Sequence, residues 1–409
     1  VKKIRWDGET QDKLVYTDSM GDTQRIHSEL VNGKQEAMLK GFPSFATVEA
    51  HVERALDDWI LQSPVTEIAL VGLPSVLPQI SVEGQFDGYL AVPIIGENEH
   101  ALAIINGKGE FVWAVTNRDS QANLSDDYLW VMAAFGKDQE SILVQSDAHK
   151  PEQTGYLYRY NWAGERIETH GIPGGHLSFV EVDTGHYYVL GYEHADTLDD
   201  NGERIRNDTV VELKDGEQET VWTALDAFPY EVFGGANSPD WMHVNYLAFD
   251  SHDQRLLLSI ARLDAYAKLD LETKNLSWIH STRPAHTTVS SEDPQQISLK
   301  PHSIEALGND QYLVFNRDAP SGCSEWVQVE KTPTTNGDEM TVIDHKPSST
   351  TPCLRVIFLG QSFPLPETAV LSNYSDKGRI EIHSTNTLYF SLQANLGNAF
   401  GFLQHRINW

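Results

Sequence analysis

This 409-residue sequence predicts an all-β fold of repeated four-stranded units: a β-propeller of six blades, with seven as the rival count, preceded by a short α-containing amino-terminal segment. Three observations carry that expectation. Residues 238–281 read as four short strands in succession, joined by tight turns such as the polar run from Asp270 to Asn275. A hairpin of apolar strand, polar turn and apolar strand, often closing on Trp, recurs around Gly109, Gly164, Gly216 and Asn275, with weaker copies around Gly337 and Gly378. The copies stand 41 to 62 residues apart, close to the roughly 40–50 residues of common propeller blades. Third, His176, His243 and His302 each open an apolar run followed by a polar turn and a second run, 67 and 59 residues apart.

Taken in order, residues 1–65 differ from the rest and form an accessory segment; residues 66–409 are assigned to the propeller. Within 47–61, Val48, Val52, Ala55, Leu56, Trp59 and Ile60 fall at helical spacing opposite an acidic face, which predicts an amphipathic helix. A hairpin turn is expected at 32–34, and residues 20–40 could supply the seventh blade. The longest apolar run, 66–78, is broken by Gly72 and Pro74, so no membrane span is expected. The first ten residues carry no apolar core of the kind a signal peptide needs.

Lys and Arg number 30 against 59 Asp and Glu, a formal charge of −29. Such a field argues against nucleic acid and anionic membrane as partners and repels an anionic substrate unless a site supplies local positive charge. Oligomeric state is not legible. Cys323 and Cys353 each precede a strand-like run; they form either a disulfide, which implies an oxidising compartment, or two buried thiols.

The histidine repeat is the chemical clue. In a propeller the first strand of each blade lines the central channel, so side chains in one repeat phase converge on one axis. Convergent titratable groups in a concavity mark a site. Arg262 ends the strand after His243 and offers a fork of donors suited to carboxylate, phosphate or sulfate. Arg317 holds a similar place after His302 but is followed by Asp318, its expected partner. Three imidazoles could hold zinc, but a nearby guanidinium disfavours a cation, and no metal or cofactor is expected. No Gly-rich phosphate loop, GxSxG elbow or CxxC is present. Transfer of an anionic group, with one neutral imidazole as nucleophile, fits these residues better.

The segment Asp240-Trp241-x-His243-x-Asn245, the following Ser259-x-x-Arg262, and the unit from His302 to Asn316 resemble the PAPS-independent arylsulfate sulfotransferases, bacterial six-bladed propellers. The resemblance covers about residues 85–409 and is strongest over 238–318. It implies that His302 takes the sulfuryl group covalently, that His243 and Arg262 bind and polarise the sulfate, and that His176 is a further active-site histidine. Asn245 and Asn316 are implied as substrate contacts. The implied chemistry is ping-pong transfer from an aryl sulfate to a phenol, in the periplasm or outside the cell. Leu177 and Ser303 depart from the acidic residue that follows these histidines in many relatives, and the helix expected within 1–65 does not fit the amino-terminal β-sandwich of well-known members.

Two other readings stand beside it. A polysaccharide lyase would use Arg262 to neutralise a uronate, with His243, Tyr246 or Tyr266 as base. A non-catalytic binding propeller would keep the scaffold alone.

Overall fold

The computed structural model describes residues 2–407, apart from 8–11, 18–20, 22, 32–33, 40–46, 57–58, 70–76, 97–98, 118–128, 149, 200, 231–238, 284–286, 336, 385–386 and 396–398. The turn expected at 32–34 and Ser238 fall wholly or partly outside the described residues. The chain is all-β, and its α-helices among the described residues are the single turns Ala224–Ala227 and Pro294–Ser298, capped by Thr223 and Asp293.

Six antiparallel sheets follow one another from residue 80 onward. Sheet two is Trp130–Phe135, Ser141–Ser146, Thr154–Asn161 and Arg166–Pro173, in that order. Sheet three runs through Phe179–Asp183, His186–Leu198, Arg204–Lys214 and Glu217–Thr223. Sheet four is Val244–Asp250, Arg255–Ile260, Ala265–Leu269 and Leu276–Ser281; sheet five is Pro301–Gly308, Gln311–Asn316, Glu325–Thr334 and Gly337–Pro347.

The end sheets are stitched from both ends of this region. Sheet one comprises Tyr89–Ile95, His100–Asn106 and Phe111–Thr116, with the carboxy-terminal strands Ala399–Phe400 and Gln404–Arg406 along the edge of Tyr89–Ile95. Sheet six is Gln361–Pro364, Val370–Tyr374, Arg379–His383 and Leu388–Ala394, extended by Ile80–Gly84.

Five of the six recurring hairpins join the third and fourth strands of their sheets. The copy around Gly378 joins the second and third strands of sheet six, which accounts for its shorter interval.

Contacts pass from one first strand to the next. Phe402 and Val131–Ala133 exchange backbone hydrogen bonds, and Phe179 N–H meets Met132 Sδ at 3.3 Å. Leu247 N–H donates to Ser178 Oγ, Asn245 Nδ2 to the Pro301 carbonyl, Ser362 N–H to Ser303 Oγ and Leu403 N–H to Gln361 Oε1. The largest apolar cluster includes first-strand residues Met132, Phe179, Tyr246, Ile304 and Phe402. Satisfying backbone groups across the inner strands lets this part of the chain be buried without orphaned donors.

The amino-terminal region corrects the sequence reading. Residues 47–61 are not a helix: Thr47–Leu56 and Trp59–Gln62 are strands. Thr47–Leu56 pairs antiparallel with Lys13–Thr17, Tyr16 facing Ala50 and Leu14 facing Val52. Residues four apart share a face in both a helix and a strand, so positions 48, 52, 56 and 60 could not separate the two. Val48 and Ala50 are buried while Glu49 between them is exposed and Ile60 points to solvent, a period of two. A smaller sheet joins Lys2–Trp6, Lys34–Leu39 and Glu29–Val31. Thr66–Ala69 pairs with Thr47–Leu56, so these sheets extend slightly past residue 65. Within 20–40, the strands Thr23–His27, Glu29–Val31 and Lys34–Leu39 belong to these sheets.

Candidate active site

His176, His243 and His302 line one cavity of about 330 Å³, together with Arg206, Arg317, Tyr192, Asp147 and the apolar residues Ile357, Phe358 and Leu359. The three histidines therefore meet, although not in one repeat phase. In sheet four Val244 faces Ile260 and Tyr246 faces Ser259, leaving Asn245 as the extra residue of a β-bulge; in sheet five Pro301 faces Asn316 and Ser303 faces Phe315, leaving His302 there. The next rungs are Ala261 N–H to the His243 carbonyl and Arg317 N–H to the Lys300 carbonyl. His243 thus corresponds to Lys300, His302 to Asn245 and Arg317 to Ala261. Bulges re-aim side chains without leaving a sequence signature.

His243 sits just before its strand at φ 55°, a left-handed conformation that costs a non-glycine residue about 1–2 kcal/mol. The rung from Ala261, the bond from Arg262 N–H to the Met242 carbonyl, and the contact of His243 Nδ1 with Asp240 Oδ2 at 2.9 Å hold it there. Its side chain is 32% exposed, the most accessible of the three imidazoles. Burial alone would raise the Asp240 pKa, but His243, Arg206 and Arg262 hold it well below the usual carboxylate range. An ionised Asp240 at Nδ1 fixes the ring and leaves Nε2 for the cavity.

His302 is buried, with Nδ1 lacking a hydrogen-bond partner, and its ring lies 5.5 Å from that of Phe402. Burial, then Arg317 and His243, push its pKa well below the usual histidine value. It is a neutral imidazole at neutral pH.

His176 is buried too, and its pKa is lowered by burial and then by Arg206. Its Nε2 lies 2.5 Å from Arg206 Nη2. The same nitrogen lies 3.1 Å from the Val244 carbonyl oxygen, so Nε2 is engaged on both sides. Gly174 makes this placement possible: its φ is 59°, and a Cβ there would meet the Tyr192 carbonyl oxygen at 1.9 Å. The adjoining chain brings His176 edge-on to Tyr192, ring centroids 4.8 Å apart.

Arg206, which the sequence reading missed, stacks 3.7 Å over the Tyr192 ring and pairs with Asp208 at 3.1 Å and Asp240 at 3.5 Å. Burial opposes its charge, but Asp208 and Asp240 more than reverse that, and its pKa is raised. Its backbone carries the His243 segment, through Arg206 N–H to the Pro239 carbonyl and Trp241 Nε1–H to the Arg206 carbonyl. The detectable signal was Arg206-x-Asp208, two charges on one face of an otherwise buried strand.

Arg317 differs from the expectation of a self-neutralised residue. Asp318 pairs with Lys300 at 3.1 Å and Arg355 at 2.8 Å. Arg317 Nη1 donates to the Ile357 carbonyl at 2.8 Å, and its Nε is buried without a partner. Among the described residues no carboxylate forms an ion pair with it. Burial lowers its pKa, Asp376 and Asp318 only opposing this.

Three predicted contacts do not line the cavity. Arg262 follows its strand in a short 3-10 turn, half exposed and 3.4 Å from Asp240, where it touches the carboxylate that holds His243. Asn245 joins first strands through the Pro301 carbonyl, and Asn316 Nδ2 donates to the Gln296 carbonyl at 2.6 Å. Both are buried. Among the described residues no set of three His, Cys, Asp or Glu side chains is arranged to hold a metal ion.

Cys323 and Cys353 form a disulfide with Cα atoms 5.8 Å apart. No described helix is long and apolar enough to cross a membrane.

No curated protein matches the chain. Solved structures that resemble it include the β-propeller domain of Cps50 (Swd1) from Myceliophteria thermophila, at 8% identity and a TM-score of 0.44, covering 76% of this chain and 89% of that one. A protein from Lactobacillus plantarum matches at 10% identity and a TM-score of 0.40, covering 97% of this chain and 99% of that one. Hydrazine synthase from Kuenenia stuttgartiensis matches at 16% identity and a TM-score of 0.34, over 64% and 71%. A family model described as Arylsulfotransferase (ASST) matches residues 83–348, well over half of the chain and all three histidine units. The chain belongs to the arylsulfotransferase family.

Proposed function

We propose that the chain transfers a sulfuryl group from a phenolic sulfate ester to a phenolic acceptor through a covalent sulfohistidine at His302. The observation that carries this reading is that one cavity holds both the buried, neutral imidazole of His302 and the half-buried guanidinium of Arg317, with which no carboxylate among the described residues forms an ion pair. A partly buried charge without an ion pair gains from a ligand of opposite sign. Sulfate is such a ligand, and two of its oxygens can accept the parallel N–H bonds of a donor fork.

In the first half-reaction a nitrogen of His302 attacks sulfur and the bond from sulfur to the phenolic oxygen breaks. His243 gives a proton to the departing phenolate. In the second, His243 takes the proton of the acceptor phenol, the phenolate oxygen attacks sulfur, and the bond from sulfur to nitrogen breaks, returning His302 neutral. Charge spreads over the sulfuryl oxygens as they pass between nucleophile and leaving group, so preorganised donors supply most of the stabilisation. Arg317 and Arg206 fill that role. His176, its Nε2 engaged, positions Arg206 rather than reacting.

The six sheets are read as the blades of a closed propeller, a count supported by the hydrogen bonds that pass from each first strand to the next. The amino-terminal sheets are an accessory unit before it. The disulfide supports a periplasmic or extracellular location.

The lyase reading keeps only His243, because Arg262 and both tyrosines lie outside the cavity lining. Tyr246 OH is bound to Glu305 and Gln361 and Tyr266 OH donates to the Phe315 carbonyl, and neither tyrosine lines the cavity. The test is release of 4-nitrophenol from 4-nitrophenyl sulfate with phenol as acceptor. Parallel double-reciprocal plots at varied phenol support ping-pong transfer; no release under any acceptor rejects it.

A further inference from the structure

The outer wall of the cavity is apolar, and it is exposed. Ile357 is 72% and Phe358 37% exposed, yet the segment that carries them is firmly held. The Cys323–Cys353 disulfide fixes its beginning. Ser324 N–H donates to the Leu354 carbonyl, Val356 N–H donates to Ser324 Oγ at 2.8 Å, and Ile357 N–H donates to Asp376 Oδ1 at 3.1 Å. Val356 is buried against Phe315 and Tyr374. At the far end Leu359 adopts φ 55° and Gly360 packs so closely on Phe315 that a Cβ would lie 2.5 Å from its ring. A segment tied down at this many points does not expose two large apolar side chains for want of a folded alternative; adjacent exposed apolar groups at a cavity mark a contact surface.

The same segment is tied to the anion site. Ser324 Oγ donates to the Arg317 carbonyl at 2.6 Å while accepting from Val356, and the Arg317 guanidinium donates to the Ile357 carbonyl. The apolar side chains therefore start at the residue whose backbone orients the unpaired cation. A ligand that fits both has a compact anionic head with an aromatic body directly attached.

We infer that Ile357 and Phe358 form the aryl subsite and set which phenols and phenyl sulfates the enzyme accepts. This rests on the sulfuryl-transfer reading for the identity of the head group, while ring binding can be measured without any transfer. Calorimetry with 4-nitrophenol and, separately, inorganic sulfate separates the two. Wild type binds both. Phe358→Ala weakens 4-nitrophenol about tenfold and leaves sulfate unchanged, Phe358→Leu loses less, and Ile357→Ser weakens the phenol in the same direction. Circular dichroism confirms that each variant is folded. Absence of phenol binding to wild type, or phenol binding unchanged in both Phe358→Ala and Ile357→Ser, overturns the subsite even if the enzyme turns over aryl sulfates. Ring binding that depends on Phe358 in a protein that releases no phenol from aryl sulfates supports the subsite and rejects the transfer reading instead.

Discussion

Arg317 and Asp318 are neighbours in sequence and do not pair: the carboxylate reaches Lys300 and Arg355, while the guanidinium turns to the Ile357 carbonyl. The arrangement keeps a positive charge available inside a protein of formal charge −29. A field of that sign would otherwise repel sulfate esters, so local cations decide whether an anion enters.

Freeing Asp318 is expected to neutralise the site. Lys300 and Arg355 are more than half exposed, so their loss costs little stability, about 0.2–1 kcal/mol each. The double variant Lys300→Ala/Arg355→Ala is nevertheless expected to weaken sulfate binding severalfold by calorimetry. Adding Asp318→Asn should restore it. A triple variant no better than the double one would mean that Asp318 does not compete for Arg317.

The two cavity arginines are expected to behave oppositely in stability. Arg317→Gln removes a charge with no ion pair, so the midpoint of thermal unfolding holds or rises, while anion binding falls by about 2–5 kcal/mol. Arg206→Gln leaves Asp208 and Asp240 without their shared partner and should lower the midpoint. Similar shifts for both variants would contradict this division.

Much of this site could be read from the sequence, and the part that could not has physical causes. The histidine repeat pointed to a common cavity, and the three imidazoles line one. Its register was off by one, since the bulge at His302 and the left-handed turn at His243 leave no periodic trace. Asn245 and Asn316 looked like ligand contacts, but a buried asparagine that bridges strands looks the same in sequence. Arg206 escaped because the fold brings it to His176 across a long hairpin. The helix reading of 47–61 failed on a four-residue spacing that both periods share, and only the pairing with Lys13–Thr17 decides it.

Acid should reduce activity and stability at different places. His302 must be neutral to attack, and its pKa is depressed by burial first. The acid limb of kcat/KM should therefore lie below pH ~6.5, the ordinary histidine value. For stability, an imidazole buried neutral binds fewer protons when folded than when unfolded. Its contribution is present above the unfolded pKa and declines as pH falls below it. His383, which accepts from Trp326 Nε1–H and whose pKa burial lowers to about 4, extends that decline from roughly pH 6.5 to about 4. Urea midpoints from pH 7.5 downward measure it; a flat profile between roughly 6.5 and 5 would be inconsistent with neutral buried histidines.

Asp240→Asn should damage kcat more than substrate binding, by roughly 10²–10⁴-fold in rate. The loss follows from misoriented His243, so donors with good leaving groups, which need little protonation, should suffer least. An equal loss for 4-nitrophenyl and unsubstituted phenyl sulfates would argue that Asp240 serves only the fold.

The central claim is a covalent sulfohistidine at His302. Intact-mass spectrometry after brief exposure to 4-nitrophenyl sulfate, without acceptor, is expected to show one added SO₃ unit that peptide mapping places on His302. Added phenol should discharge it, His302→Asn should never form it, and His176→Asn should still form it, more slowly. No adduct on the wild-type protein during measurable turnover, or an adduct on His243 or His176 instead, would contradict the account.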